Sequence, residues 1–568
     1  MEKNWTILDD FTRKANHLAR ELSLHPLVAG ILYQRGYTET EPCREFLEAR
    51  LSNLPSPDSL LGATQAADRI IEAMDRGESI CVYGDYDVDG VTSTALLQEF
   101  FHRLGYPVQV RIPNRLGDGY GFHAELVREL AGQGIDLIIT VDCGITAHDA
   151  CIAAREVGVT VVVTDHHEIQ GCVPDAYVVV NPHQEECGFS GEPLAGVGIS
   201  FFLAGAIRKG LVERGRIHRD KIDLRDFLDL VTLGTVADVS PLVGINRILV
   251  NYGLGLIAQG KRPGIAALKV VSKLDGKTLT AGHISYQLAP RINAAGRVGD
   301  AMAGVELLTS QDNDRVKQIA EQLEIENRRR REIEDQILQE AREQFLNNPH
   351  HRELRTIVLA GLNWHPGVIG IVASRIQEEF YRPTIMISFE EKMGRGSARS
   401  ITNFNIYDAI GACEKNLLGY GGHKYAAGLQ IHYDQLQSFM VDFETTARKV
   451  LTDEDLIPKQ NIDAECSLDD IDSRLLTSLN RMAPFGVGNP EPVFMTRDAL
   501  VIFKKVVGKK HLKLRLATKF GNISAIAFGK GDLEPFLGDR IDVAYNIHIN
   551  EYMGNTELQL MIKDIKPI

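Results

Sequence analysis

The chain has 568 residues, 62 of them basic and 76 acidic, for a formal net charge of −14. Its 44% apolar and 24% charged content excludes a largely disordered or collagen-like chain, and the acidic total excludes a uniformly basic nucleic-acid coat. At about 100–200 residues per domain, the length predicts about three to five domains.

Residues 1–55 read as a helical N-terminal segment that ends in the proline-rich turn Leu54-Pro55-Ser56-Pro57. Short, nearly continuous β-branched runs follow at 79–83, 108–112, 137–141, 160–164 and 176–180. They alternate with helical periodicity, as at 92–104, where Leu96, Leu97, Phe100, Phe101 and Leu104 share a face. That alternation predicts βαβ units around a buried parallel sheet, an α/β fold, over 56–310. A charged stretch at 312–345, without proline or glycine, predicts one long helix, so 311–348 is taken as a connecting segment. Strand–helix alternation resumes over 349–455. The remainder, 456–568, has short strands with Gly and Asn turns and suggests a small β-barrel.

The acids fall at strand ends. The first run leads into Gly84-Asp85-Tyr86-Asp87-Val88-Asp89-Gly90, the third ends at Asp142-Cys143-Gly144, and the fourth at Thr164-Asp165-His166-His167. Sites in open parallel sheets form at the carboxyl ends of strands, so these segments should converge. Asp238, after an apolar helical stretch, is a fourth candidate. Crowded carboxylates repel one another and need compensating positive charge. Oxygen ligands with imidazole suit Mn²⁺ or Mg²⁺, and this many donors suffice for two ions of the kind that hydrolyse phosphate esters. An EF-hand is excluded, because the twelfth position counted from Asp85 is Leu96 where a bidentate Glu is needed. Taken singly, a D-x-D turn or a His-His pair is more often a polar loop; the joint placement separates the two readings.

With the upstream D-x-D and the downstream Ala237-Asp238, Thr164-Asp165-His166-His167 resembles the DHH phosphoesterase superfamily. Pro113-Asn114-Arg115, Leu194-Ala195-Gly196-Val197-Gly198 and Pro290-Arg291-Ile292-Asn293-Ala294-Ala295-Gly296-Arg297 bring it closest to the RecJ family of single-strand exonucleases. The resemblance implies that Asp87, Asp89, Asp142, His166 and Asp238 are metal ligands, with Asp142 bridging. It makes His167 a contact to the scissile phosphate or its leaving oxygen, and Asp85 and Asp165 ligands or groups that orient the histidines. Many smaller members carry a His where this chain has Tyr83, and Asp85 is the substitute candidate.

Further along, Gly421-Gly422-His423-Lys424 resembles the phosphate-binding motif of the DHH-associated (DHHA1) domain, since paired glycines let a phosphate approach the backbone. His365, Ser397 and Arg399 belong to motifs of the same lobe. The resemblance implies two lobes facing each other across a groove, and favours Arg115, Arg291, Arg297 and Arg399 as phosphate contacts over ordinary ion pairs. Between Phe503 and Phe520 lie Lys504, Lys505, Lys509, Lys510, Lys513, Arg515 and Lys519 with no acid. Alone this could be a solvated strand face. With an oligonucleotide-binding (OB) fold implied there, Lys509, Lys513 and Arg515 become single-strand contacts, with Phe503 or Tyr552 available to stack bases.

The expectation is therefore a two-metal 5′→3′ exonuclease on single-stranded DNA that acts in DNA repair and recombination. The alternative is a DHH phosphodiesterase acting on short oligonucleotides or cyclic dinucleotides. A non-catalytic binding relative is a third reading, and it would require missing ligands. Eight scattered cysteines without a C-x-x-C pair, no ~20-residue apolar run and no secretory segment in 1–10 suggest a reducing cytoplasm. A helicase and a single-strand-binding protein are partners implied by the family alone; a monomer is the default.

Overall fold

A computed structural model describes residues 3–113, 121–189, 191–508, 510–552 and 555–568. The chain forms two compact units, one of Tyr37–Asn327 and Ser478–Glu491, the other of Met1–Gly36, Arg328–Thr477 and Pro492–Ile568. The helix Asn313–Leu346 carries the chain from the first into the second.

The first unit is built on a five-stranded, all-parallel sheet. Its order is Gln109–Arg111, Ile80–Gly84, Leu137–Val141, Thr160–Thr164, Val178–Val180. The central strands are buried along their length, which their continuous Val/Ile content requires of a sheet covered on both faces. Side-chain alternation divides the core. Ile80, Val82 and Ile139 pack on one face with Phe100 and Phe202, whereas Cys81, Tyr83 and Ile138 pack on the other with Phe122 and Val127. The helix Val88–Leu104, capped at its start by the Asp87 side chain, and the helix Gly196–Glu213 lie against the first face. Beneath them, buried Arg262 bonds Asp229 at 2.8 Å and also pairs with Glu99. No helix among the described residues is long and apolar enough to cross a membrane.

The second unit holds two sheets of different kinds. One is mixed, in the order Gly419–His423, Ala426–His432, Met393–Arg399, Thr384–Glu390, Ile357–Leu362. The other closes on itself. Phe494–Val507, His511–Thr518, Gly521–Ala527, Asn555–Pro567 and Arg540–Tyr552 pair in sequence, and Arg540–Tyr552 pairs back to Phe494–Val507, making a five-stranded barrel. Near the N-terminus, Asn4–Ile7 is a strand, paired in parallel with Lys459–Ile462. That contact spans most of the chain and has no local signal.

Candidate metal centre and phosphate-binding lobe

Register explains the acidic constellation. Gly84, Val141 and Thr164 are aligned across three adjacent parallel strands, so the next residues, Asp85, Asp142 and Asp165, leave the sheet in one row. The neighbouring strand ends in the same register, at Val180, and Asn181 completes the row. All four are buried. Asp142 has φ +60°, a left-handed conformation that aspartate tolerates better than most residues.

Two helix starts bring in further carboxylates. Asp87 accepts the N–H groups of Asp89 (2.9 Å) and Gly90 (3.1 Å). Asp89 in turn accepts from Gly196 (2.6 Å) and Val197 (2.8 Å), the first residues of the second helix, where the helix dipole favours an anion. The close fit requires Gly196, since a Cβ there would lie 2.7 Å from Cβ and Oδ1 of Asp142. Asp238 follows the apolar helix Leu228–Ala237 and accepts the Ser240 hydroxyl at 2.5 Å. The helix Ala289–Val298 closes on the acidic turn: Asn293 accepts from Val88 N–H at 3.2 Å, and a Cβ on Gly296 would lie 2.4 Å from the Tyr86 carbonyl oxygen.

His166 Nε2 lies 3.1 Å from Asp142 Oδ1 and 3.9 Å from Asp89 Oδ2. Nε2 of His166 and Oδ1 of Asp142 are both buried without a hydrogen-bond partner, an arrangement a cation would satisfy. Three sets of donors each lie within 4.8 Å of one another: Asp89, His166 and Asp238; Asp85, Asp87 and Asp142; and Asp142, His166 and His167. This oxygen-rich set with imidazole fits hard or borderline divalent cations; the set of Asp142, His166 and His167 shares His166 with one of the other two sets and Asp142 with the other.

The electrostatics agree. Burial, then the charges of Asp238 and Asp87, holds Asp89 well above the usual carboxylate range; burial with Asp89, Asp87, Asp85 and Asp165 does the same to Asp142. Burial also raises Asp238, against the pull of His166. His166 is lowered, because burial outweighs the attraction of Asp238, and so is neutral and able to ligate. Asp165 differs. It accepts Nδ1 of His167 at 2.7 Å and the N–H groups of His166, His167 and Ile145. Although burial opposes it, these bonds lower its pKa. His167 is opposed by burial too, yet the Asp165 hydrogen bond and charge raise it to about 9.

Three supporting residues were given no role by the sequence, although Gly196 lies in one of its motifs. Asn181 donates to the His167 carbonyl (3.0 Å) and accepts from His183 N–H (2.8 Å). Ser240 and Gly196 act on Asp238 and Asp142 as described. Only convergence in space distinguishes them from other polar or small residues. Tyr83 is turned away: its ring packs on Phe122 and its hydroxyl donates to the Gly121 carbonyl at 2.9 Å.

The other expected residues fall elsewhere. Arg291 is buried and ion-paired to Glu324 at 2.7 Å, with its guanidinium also donating to the Gln287 carbonyl. Arg297 is half-buried near the end of the same helix. Arg115 and Lys509 lie outside the described residues.

In the second unit, register aligns Gly421 with Gly428 and Ser397, and His423 with Ala426 and Arg399, so all six lie on one face of the sheet. At Gly421 a Cβ would meet nothing within 4 Å, leaving backbone open there. Arg399 donates to the Ser397 hydroxyl (3.2 Å), the Ser374 hydroxyl (3.2 Å) and the Ala398 carbonyl (2.7 Å). His365 accepts from Gly367 N–H at 3.1 Å just before the helix Ile369–Phe380. A Cβ on Gly370 would lie 2.9 Å from the Ser397 hydroxyl.

On the barrel, Leu512, Leu514 and Leu516 point inward while Lys513 and Arg515 alternate outward. The Arg515 guanidinium lies 5.9 Å from the Phe503 ring centroid. Lys504 is not part of an open basic surface, because it donates to the carbonyls of Glu534 (3.2 Å) and Leu537 (2.6 Å). Lys519 pairs with Asp469. Phe503 is exposed; the Tyr552 side chain is outside the described residues.

The parallel sheet and its row of acids mark the DHH class: the N-terminal domain of the DHH family matches residues 79–235, the DHHA1 domain 354–449 and the RecJ OB domain 462–564. The single-stranded-DNA-specific exonuclease RecJ of Bacillus subtilis is 34% identical over 99% of this chain and 70% of its own length. That of Dickeya dadantii is 37% identical over 96% of this chain and 97% of its own. The structure of Thermus thermophilus RecJ in complex with Mn²⁺ is similar with a TM-score of 0.85 and 31% identity, covering 100% of this chain and 80% of that one. The complex with Mg²⁺ gives a TM-score of 0.79 and 29% identity, covering 100% and 79%. The chain belongs to the RecJ family.

Proposed function

We propose that the chain is a divalent-metal-dependent exonuclease that degrades single-stranded DNA from its 5′ end to 5′-mononucleotides. The observation that carries this reading is the row of Asp85, Asp142 and Asp165 at the strand ends, joined by Asp89, Asp238 and the neutral His166. The two similar Thermus structures hold Mn²⁺ and Mg²⁺, and the donor set here fits either.

Asp87, Asp89, Asp142, His166 and Asp238 would hold two such ions, with Asp85 in the role that Tyr83 leaves unfilled. When bound, the ions lower the pKa of a bound water and offset charge on the leaving oxygen. Asp165 fixes Nδ1 of His167 and keeps the ring protonated at neutral pH, so Nε2–H is the donor left for a phosphate oxygen. Ser397, Arg399 and the open backbone at Gly421 bind phosphate, with Gly422, His365 and His423 beside them. Lys513 and Arg515 follow the strand backbone over the barrel and Phe503 stacks a base. Direction and a setting in repair and recombination, with a helicase and a single-strand-binding protein as partners, rest on the likeness of these motifs to RecJ.

A time course on 5′- and 3′-labelled single strands with Mn²⁺, Mg²⁺ or EDTA tests the reading. Immediate release of the 5′ label as mononucleotide, with progressive shortening of the 3′-labelled strand, is expected only with metal. Release of the 3′ label first, or unchanged cleavage in EDTA, contradicts it.

A further inference from the structure

Beside the metal centre the first unit has a cavity of about 490 Å³, within the ~300–1,000 Å³ range of ligand sites. Its walls include Val239, Leu242, Tyr286, Phe485, Val487 and Pro490, and among the described residues none of the lining side chains is charged. We infer that it is a nucleobase shelf, in which Tyr286 stacks one unpaired base of the substrate while the neighbouring phosphate lies at the carboxylate centre. The inference rests on the exonuclease reading and names how that site selects its substrate.

Position supports it first. Val239 and Ser240 directly follow Asp238, and Ser240 bonds the Asp238 carboxylate at 2.5 Å. The cavity wall therefore touches one of the candidate cation donors through Ser240. A nucleotide has a charged phosphate and a flat, nearly apolar base; a cation site adjoining an uncharged apolar shelf matches that division.

The walls are fixed, although much of the apolar surface is open. Tyr286 is 78% exposed, Val239 60% and Val487 48%. Tyr286 sits in a π-helical turn, Ile284–Leu288, a rare geometry frequent at functional sites. Val239 has φ +64°, an outlier for a β-branched residue. The segment carrying Phe485, Val487 and Pro490 is anchored from below by buried Arg247, which donates to the carbonyls of Met482 (2.8 Å) and Ala483 (2.8 Å). Asn489 donates to those of Met482 (2.8 Å) and Pro484 (2.9 Å), and Leu242 N–H to that of Val487 (2.7 Å). Apolar groups held rigidly at an open rim form a platform that tolerates any base, since every base has a π-face. A base inside a duplex cannot reach such a shelf, so it contributes to single-strand selectivity.

The test uses the full-length protein with Mn²⁺ and a thymidine 20-mer, intact or carrying one abasic residue at successive positions from the 5′ end. Wild-type KM is expected to rise at one abasic position. Tyr286→Ala and Val487→Asp should raise KM on intact DNA about tenfold, with kcat within about twofold, and lose the positional effect; Tyr286→Phe should match wild type. Wild type that leaves the intact strand undegraded refutes the exonuclease reading itself. Wild-type degradation with unchanged KM in Tyr286→Ala overturns the shelf alone. A shift of sedimentation coefficient in Tyr286→Ala without a KM change also overturns it, marking the patch as a contact between copies of the chain.

Discussion

Asp165 accepts Nδ1 of His167 at 2.7 Å, and the same carboxylate oxygen accepts the backbone N–H groups of both His166 and His167. One carboxylate thus sets the loop and the charge of the ring. Asp165→Asn keeps the shape and removes the charge. Activity should fall about 10–100-fold, the usual cost of losing a partner that orients a site histidine. The wild-type rate should decline above about pH 9 as His167 loses its proton, and the decline should start at lower pH in the variant. The sign for stability is the same. A histidine whose folded pKa is raised stabilises fully below its ordinary 6.5 and loses that stabilisation as pH rises through about 9, so the Tm gap between wild type and variant should narrow over that window. Parallel pH–rate and melting series check both.

Metal binding should release protons. Asp89 and Asp142 have raised folded pKa values in the metal-free protein, which binds more protons than the unfolded chain in the window above 3.8. Metal-free stability should therefore fall as pH rises through that window, while affinity for Mn²⁺ rises. Calorimetric titration of Mn²⁺ in two buffers of different ionisation enthalpy measures the released protons; identical heats in both buffers would contradict the assignment.

Gly196 is required by its distance from Asp142. Gly196→Ala places a methyl 2.7 Å from that side chain, so helix or carboxylate must shift. Overpacking of this kind costs about 1–3 kcal/mol, and a ligand displaced by an ångström costs about 100-fold in rate. Urea unfolding and kcat measured on one preparation give both numbers.

Tyr83 should be replaceable by Phe without loss of Mn²⁺ binding, because its hydroxyl serves the Gly121 carbonyl and not the metal centre. About 1 kcal/mol of stability should be lost with that bond. Weakened metal binding in Tyr83→Phe would reassign the residue.

Arg262 tests the scaffold separately from the chemistry. It is buried against buried Asp229 and Glu99, and Arg262→Ala leaves Asp229 without its cation and Glu99 with Arg103 alone. Removing one partner of a buried pair costs about 3–5 kcal/mol. The denaturation midpoint should drop accordingly, while kcat of the folded protein stays near wild type.

What was legible in the sequence was local. The runs at 137–141 and 160–164 are the strands Leu137–Val141 and Thr160–Thr164, because a continuous β-branched stretch has few other options in a buried parallel sheet. The charged stretch became Asn313–Leu346 for want of any breaker. The acids were legible because they follow strands directly. Residues defined by remote partners were not. Asn181 reads as any polar residue after a strand until register aligns it with Asp165, and Lys504 reads as basic surface until the barrel turns it onto two carbonyls. The Asn4–Ile7 strand depends on a partner, Lys459–Ile462, at the far end of the chain.

The central claim is that the strand-end acids and His166 hold two cations. Anomalous diffraction at the manganese edge from Mn²⁺-soaked crystals measures this directly. Two peaks are expected, one contacting Asp89, His166 and Asp238, the other Asp85, Asp87 and Asp142. A single peak, or peaks away from this row, would contradict it.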